Sequence, residues 1–106
     1  MYKTESILGL AKKAGAIIAG TELVIESVRK KRACHIFVGS DVSAGTLKKL
    51  SDKAAFYRVP LTNLELTASE LARCVGLIRP TAAVALTNKS FLKLLNLTGN
   101  STEVHL

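Results

Sequence analysis

The sequence has few of the residues on which enzymes, metal sites and disulfide frameworks depend. It contains two cysteines, two histidines and five aromatic residues in 106 positions. Cys34 and Cys74 lack the spacing of a metal site, and we expect them to be small, buried apolar side chains rather than a disulfide. His35 lies among strand-like residues and His105 is next to the last position, so each is expected to be structural or solvated.

Motifs for catalysis and cofactor binding are missing as well. The chain has no glycine-rich phosphate loop, no His-Glu-x-x-His motif and no Cys-x-x-Cys motif. Asp41 and Asp52 fall on different predicted elements, which gives no reason to pair them as acid and base. The sequence therefore predicts no catalytic residue, no metal site and no cofactor, and we expect that the protein is not an enzyme.

Long apolar stretches are also absent. The first apolar segment is interrupted by Gly9, Lys12, Lys13 and Gly15, whereas a signal peptide needs a continuous apolar core. No segment approaches the roughly 20 apolar residues that a membrane-spanning helix requires. We therefore expect a cytoplasmic protein with no membrane partner.

Acidic residues are fewer than basic residues in this sequence. Lys and Arg number 15 against 8 Asp and Glu, which gives a formal net charge of +7 and a pI near 9.7. An excess of that size on so small a chain attracts polyanions. The five aromatic residues do not alternate with Lys or Arg, as they do on surfaces that stack single strands. The composition favours structured RNA as the partner.

The spacing of the apolar residues predicts helices and strands in alternation. A hydrophobic content of 48 % is enough for one core in a chain of this length. Asp41 is expected to cap the third helix or its loop, and Thr67 and Glu70 form a capping box for the fourth. The predicted helices are 4–13, 21–31, about a dozen residues before Pro60, 67–76 and 88–95, and the predicted strands are 16–19, 34–38, 59–64 and 82–86.

This order of elements predicts an α/β fold, a three-layer α/β/α sandwich with a central mixed sheet of about four strands. The strand 82–86 is apolar without alternation, which is typical of a strand covered on both faces. We expect residues 1–97 to form one domain. Residues 98–106 have little to bury and are expected to be a flexible C-terminal tail.

Residues 20–32 suggest how the chain contacts a nucleic acid. Gly20, at the start of the second predicted helix, lets a backbone approach closely, and the free amides of the first helical turn can bind phosphate. The basic residues 29–32 at the end of the helix neutralise further phosphates. The same pattern fits an ordinary helix start with a solvated charged end, so it needs support from other motifs.

Five motifs, taken in order along the chain, resemble one family. They are residues 8–15 (LGLAKKAG), 20–22 (GTE), 39–41 (GSD), 59–61 (VPL) and 74–80 (CVGLIRP). Over residues 4–95 the chain resembles the kink-turn-binding ribosomal protein family, the L-seven-Ae and L-thirty-e superfamily, and within it the bacterial YlxQ-like branch. The resemblance implies an L-thirty-e-like fold and binding to a kink-turn, an RNA bend built from a short bulge beside tandem sheared G·A pairs.

The resemblance also implies an RNA site built from the start of the second helix and the loop 76–80. Leu77 and Ile78 would offer an apolar surface to an unstacked base, and Arg79 would offer a charge to phosphate. The implied RNA-binding residues are Gly20, Thr21, Glu22 and Leu23 near the G·A pairs, Glu26 and Lys30 near the backbone, and Leu77, Ile78 and Arg79 over the bulged nucleotides.

Three of these residues depart from the family's pattern. The well-known binders carry Asn or Lys, then Glu or Gln, then Lys, where this chain has Glu22, Leu23 and Glu26. A carboxylate at position 22 cannot donate to the acceptor edge of guanine, although it can accept from the amino group of adenine. Glu26 places negative charge where phosphate is expected. These departures indicate weaker or altered RNA recognition.

Two other functions stay open. The chain could be a ribosome-associated or protein-interaction module that has kept the fold and lost kink-turn binding, which Glu22, Leu23 and Glu26 would favour. It could also be a substrate-binding module for an RNA methyltransferase that acts as a separate partner chain. Under the main hypothesis the partner is structured RNA, either a kink-turn or ribosomal RNA, with the ribosome as a further candidate and a monomer as the free state.

Overall fold

Helices and strands alternate along the chain as the apolar pattern predicts. The computed structural model describes residues 3–96 and 103–104. The helices are α1 (Thr4–Lys13), α2 (Thr21–Arg29), α3 (Ala44–Tyr57), α4 (Ala68–Cys74) and α5 (Ser90–Asn96). The strands are β1 (Ile17–Ala19), β2 (His35–Val38), β3 (Leu61–Asn63), β4 (Ala83–Leu86) and β5 (Glu103–Val104).

The strands form one mixed sheet in the order β1-β4-β2-β3-β5. Strand β4 is antiparallel to both β1 and β2, β2 is parallel to β3, and β5 is antiparallel to β3. The sequence predicts about four strands, and the structure adds a fifth, the two-residue strand β5. It comes from the segment 98–106 that the sequence predicts to be flexible, and the rest of that segment lies outside the described residues.

Alternate side chains of the central strands belong to two different cores. In β2, Ile36 and Val38 join the core beneath α2 and α3, whereas Phe37 joins the core beneath α1, α4 and α5. Strand β4 alternates in the same way, and every residue of both strands is buried. The sheet is therefore covered by helices on both faces, which confirms the three-layer α/β/α sandwich.

The buried histidine of β2 has a structural role, as the sequence predicts. The His35 ring forms a hydrogen bond with the Thr62 hydroxyl, with 2.7 Å between Nε2 and Oγ1, and stacks on Phe37 at 4.5 Å between ring centroids. Cys34 and Cys74 are free, half-buried thiols. Partial burial raises the pKa of both thiols, so neither is activated as a thiolate.

Asp41 does not cap α3, so the prediction that it caps the third helix is wrong. Helix α3 is capped by Ser43, whose Oγ accepts a hydrogen bond from the Thr46 amide at 3.2 Å. The Oδ1 atom of Asp41 instead accepts from the amide of Ala68, the first residue of α4, at 2.8 Å. Asp41 therefore joins the turn after β2 to the start of α4, a contact between segments that are far apart in the sequence.

We expect Asp41→Ala to lower the free energy of unfolding by about 1 kcal/mol, because the Ala68 amide would lose its acceptor at the start of a helix. Asp41→Asn keeps an acceptor oxygen and should retain most of the stability. Urea denaturation of the three proteins measures the difference. An alanine variant as stable as the wild type would show that this hydrogen bond does not stabilise the fold.

Candidate nucleic-acid interface

The loops of the domain lie at two opposite edges of the sheet. Because β1, β2 and β3 run in one direction and β4 runs in the other, the carboxyl ends of the first three meet the amino end of β4. At that edge lie Gly20 and the loops 39–43, 64–67 and 75–82, and we call it the upper edge. The opposite edge, which we call the lower edge, carries the loops 14–16, 30–34, 58–60 and 87–89.

Gly20 stands at the upper edge as the residue that precedes α2. Its backbone angles are φ 101° and ψ 136°, which side chains with a Cβ rarely adopt, and no side chain caps the helix at this position. Its amide donates to the Ala83 carbonyl at 3.0 Å, which ties the helix start to β4. No atom lies within 4 Å of where a Cβ would stand, so the backbone faces open space.

The structure brings Gly20 together with the predicted loop residues Leu77, Ile78 and Arg79. All four line one open depression with a volume of about 440 Å³, together with residues such as Ala19 that continue the same surface. Leu77 is half-buried and Arg79 is exposed. Ile78 is 102 % exposed, so its whole side chain is available to a ligand. The depression thus combines a bare helix start, an apolar side chain and a guanidinium group.

The remaining predicted residues lie outside the lining of this depression. Thr21, Glu22, Leu23 and Glu26 are on α2, and Lys30 directly follows its last residue, at the lower edge. Val24, Ile25 and Val28 form the buried face of the helix. Leu23 is 58 % exposed although it is apolar, and Thr21 is half-buried. The other three predicted residues are polar and exposed, namely Glu22, Glu26 and Lys30.

Both carboxylates of α2 form ion pairs with lysines. Glu22 Oε1 is 2.7 Å from the Nζ of Lys49 on α3, and Glu26 Oε1 is 2.6 Å from the Nζ of Lys30 one turn further on. The hydrogen bond and charge of the partner lysine lower the pKa of each glutamate, so both are ionised at neutral pH. Lys49 was not predicted as part of this surface, because nothing in the sequence relates it to Glu22.

The positive charge is concentrated away from this depression. The loops of the upper edge carry Asp41, Glu65 and Arg79, whereas those of the lower edge carry five Lys and Arg residues and no Asp or Glu. The sequence predicts that the basic residues 29–32 belong to the same site as Gly20. The length of the nine-residue helix separates them, about 13 Å at the usual rise per residue.

In the described part of the chain, no group of three or more His, Cys, Asp and Glu side chains could hold a metal ion. None of the helices in residues 3–96 is both long and apolar enough to cross a membrane. The groups available for binding at the upper edge include backbone amides, the Ile78 side chain and the Arg79 guanidinium.

A mixed sheet between two helical layers, with a glycine-started helix beside an apolar loop at one edge, defines a small three-layer α/β/α domain. Residues 2–96 match the ribosomal protein L7Ae/L30e/S12e/Gadd45 family, and the chain belongs to that family. The family inferred from the motifs of the sequence is thereby confirmed.

Relatives in bacteria share most of the chain. It is 34 % identical over 91 residues to the RNA-binding protein YlxQ of Enterococcus faecium, covering 86 % of this chain and 85 % of that one. It is 37 % identical over 92 residues to the RNA-binding protein YlxQ of Bacillus subtilis (strain 168), covering 86 % and 90 %. The predicted similarity to the YlxQ-like branch is confirmed.

Two solved structures share the fold. A protein of unknown function from Bacillus halodurans C superposes with a TM-score of 0.84 at 28 % identity, covering 94 % of this chain and 100 % of that one. A 15.5kD RNA binding protein from Giardia lamblia superposes with a TM-score of 0.78 at 14 % identity, covering 89 % and 79 %. The latter likeness concerns the fold alone.

Proposed function

We propose that this protein binds structured RNA at its upper edge and that its target there is a kink-turn. The observation that carries the proposal is the shared depression, in which the open backbone of Gly20 lies beside the exposed Ile78 and Arg79. Family membership supports it, and both YlxQ relatives are named RNA-binding proteins.

The chemistry of the depression suits a bent RNA with an unstacked base. The first turn of α2 has no side-chain cap, so its amides and the positive end of the helix can face phosphate or the acceptor edges of bases. Ile78 can cover the face of a base that has left its stack, and Arg79 can contact phosphate beside it. These groups recognise the shape of the RNA more than its sequence.

The ion pairs of α2 affect how this face would recognise RNA. Lys30 and Lys49 are each held by a glutamate, so each pair has no net charge to offer a phosphate. Neutralisation also reduces the repulsion that an isolated Glu22 or Glu26 would exert. We infer that recognition at the upper edge depends on helix amides and apolar contact more than on lysine charge.

A kink-turn RNA and a matched RNA whose tandem G·A pairs are replaced by Watson–Crick pairs test the proposal. The wild-type protein should bind the kink-turn tighter by roughly tenfold or more, because the replacement removes the bend. Fluorescence anisotropy at one fixed salt concentration measures both affinities. Equal affinities would refute the kink-turn as the target.

Ile78→Ser should weaken kink-turn binding by roughly tenfold, because the apolar cover over an unstacked base would be lost. Since Ile78 is fully exposed, stability should change by no more than about 0.5 kcal/mol. Phe56→Ser is the matched control, because Phe56 is also an exposed apolar residue, 77 % accessible, but lies on α3 outside the depression. Similar losses in both variants would show that the effect is not specific to the loop.

A protein-interaction module without kink-turn binding remains the second candidate. The observation that favours it is the pair of exposed apolar side chains, Leu23 and Ile78, near an edge whose loops hold more carboxylates than cations. The same titration separates the candidates, since a module of this kind would show no preference for the kink-turn over the matched duplex.

A further inference from the structure

A second open surface lies at the lower edge, on the far side of the domain from Gly20. A cleft of about 650 Å³ is lined by Lys31, Arg32, Cys34 and Lys89 among others. An adjoining depression of about 350 Å³ shares Lys31, Cys34 and Lys89 with it and adds Arg58. Because they share residues, the two form one continuous surface, which we call the lower cleft.

The lower cleft is lined by exposed cations. Lys31, Arg32, Arg58 and Lys89 are all exposed, and none of them forms an ion pair within the described part of the chain. No carboxylate is among the described residues that line the cleft. In this respect the lower cleft differs from α2, where Lys30 is already paired with Glu26.

Two of these cations have a left-handed backbone conformation, in which glycine is the more stable residue. Among the described residues, Lys31 and Arg58 are the non-glycine residues with positive φ, 58° in each case. Lys31 is the second residue after the end of α2, and Arg58 directly follows α3. After α1 and α4 the corresponding left-handed residues are Gly15 and Gly76. Glycine is the more favourable residue in this conformation, so stability alone does not account for a lysine and an arginine there.

The helix dipole accounts for only part of the arrangement. Cations after a helix end are favoured by the negative end of its dipole, which would suit Lys31 and Arg58. Lys89, however, directly precedes the start of α5, where the positive end of the dipole opposes a cation. Neither the helix ends nor the dipole accounts for all of these cations together, whereas an anionic ligand would.

We propose that the lower cleft binds the phosphate backbone of RNA, as a second contact separate from the proposed kink-turn site. The cations come from three different loops, and a single small anion could contact only part of so extended a surface. Successive phosphates of a polynucleotide can contact all of them, and each contact releases condensed counterions. The protein would then hold two RNA segments at opposite edges of its sheet, by shape at the upper edge and by charge at the lower.

The test uses a plain RNA duplex of about 20 base pairs without a kink-turn. The variant Lys31→Gly/Arg58→Gly/Lys89→Ser should bind this duplex roughly tenfold more weakly at low salt. The slope of log Kd against log salt should fall by about two to three, one for each lost phosphate contact. The control Lys3→Ser/Lys53→Ser/Arg73→Ser removes three exposed cations that lie outside the cleft, and it should bind like the wild type.

Unfolding cannot explain the expected loss, because glycine is favoured at both left-handed positions. The thermal midpoint of the cleft variant should be equal to that of the wild type or higher. Equal binding of the duplex by the cleft variant and the control would overturn the proposal. A polyglutamate peptide that binds the wild type as tightly as the duplex would overturn it too, in favour of an acidic protein partner.

The outcome is independent of the proposed function. The cleft variant should still prefer the kink-turn RNA over its Watson–Crick counterpart by at least the wild-type ratio, because the upper edge is unchanged and only the contact common to both RNAs is weakened. If the wild type shows no preference for the kink-turn RNA, that result counts against the kink-turn as the target. Duplex binding by the cleft variant reports on the lower cleft alone.

Discussion

Replacing Gly20 by alanine is expected to lower the free energy of unfolding by about 1–3 kcal/mol, and to abolish the preference for kink-turn RNA. At φ 101° and ψ 136°, the backbone lies in a region that residues with a Cβ avoid. The added methyl group would meet no neighbouring atom within 4 Å, so the cost comes from the backbone itself. We expect the backbone of the variant to relax at this residue, which would move the start of α2, the part of the protein proposed to face RNA.

Gly45→Ala provides the matched control for this substitution. Gly45 lies in the first turn of α3, and a Cβ added there would also meet nothing within 4 Å, but its φ is not positive. Alanine is the better helix former, so stability should stay the same or rise by up to about 1 kcal/mol. Urea denaturation and RNA titration measure both variants. If the Gly20→Ala protein is as stable as the wild type and keeps its preference for kink-turn RNA, the start of α2 is not part of the RNA site.

Glu26→Lys is expected to tighten kink-turn binding by roughly tenfold at low salt, because a negative charge on the proposed RNA face becomes positive. The substitution also releases Lys30, whose ammonium group is now held at 2.6 Å by the Glu26 carboxylate. The gain should shrink as salt rises, since exposed charges are screened. Such an exposed pair contributes little to stability, so folding should be unaffected.

Asp52→Lys is the control for charge reversal. Asp52 pairs with Lys48 at 3.2 Å, also four residues apart on a helix and also exposed, but on α3 rather than α2. A gain confined to Glu26→Lys would locate the phosphates along α2. Unchanged or weaker binding by that variant, measured with the same kink-turn RNA, would mean that this helix does not face phosphate, and the docking mode implied by the family would have to be abandoned.

Local patterns in the sequence are sufficient to predict the elements and the layers of this fold. The unbroken apolar run at 82–86 predicts a strand that is covered on both faces, and β4 is buried throughout. The Thr67 and Glu70 pair predicts the start of α4, and both hydrogen bonds of the capping box are present. These features depend on residues within one or two turns of each other, which is why the sequence alone determined them.

The arrangement of charges was decided by the tertiary structure. Glu22 reaches Lys49 and Asp41 reaches the Ala68 amide because the packing of helices on the sheet brings distant segments together. The sequence suggests that residues 20–32 form one basic binding segment. The two ends of α2, however, lie at opposite edges of the sheet, so Gly20 lines a depression with the apolar loop, whereas Lys31 lines a cleft with Arg58 and Lys89. Spacing along the chain specifies local hydrogen bonds and helix faces, whereas the grouping of charges depends on the path of the chain between them.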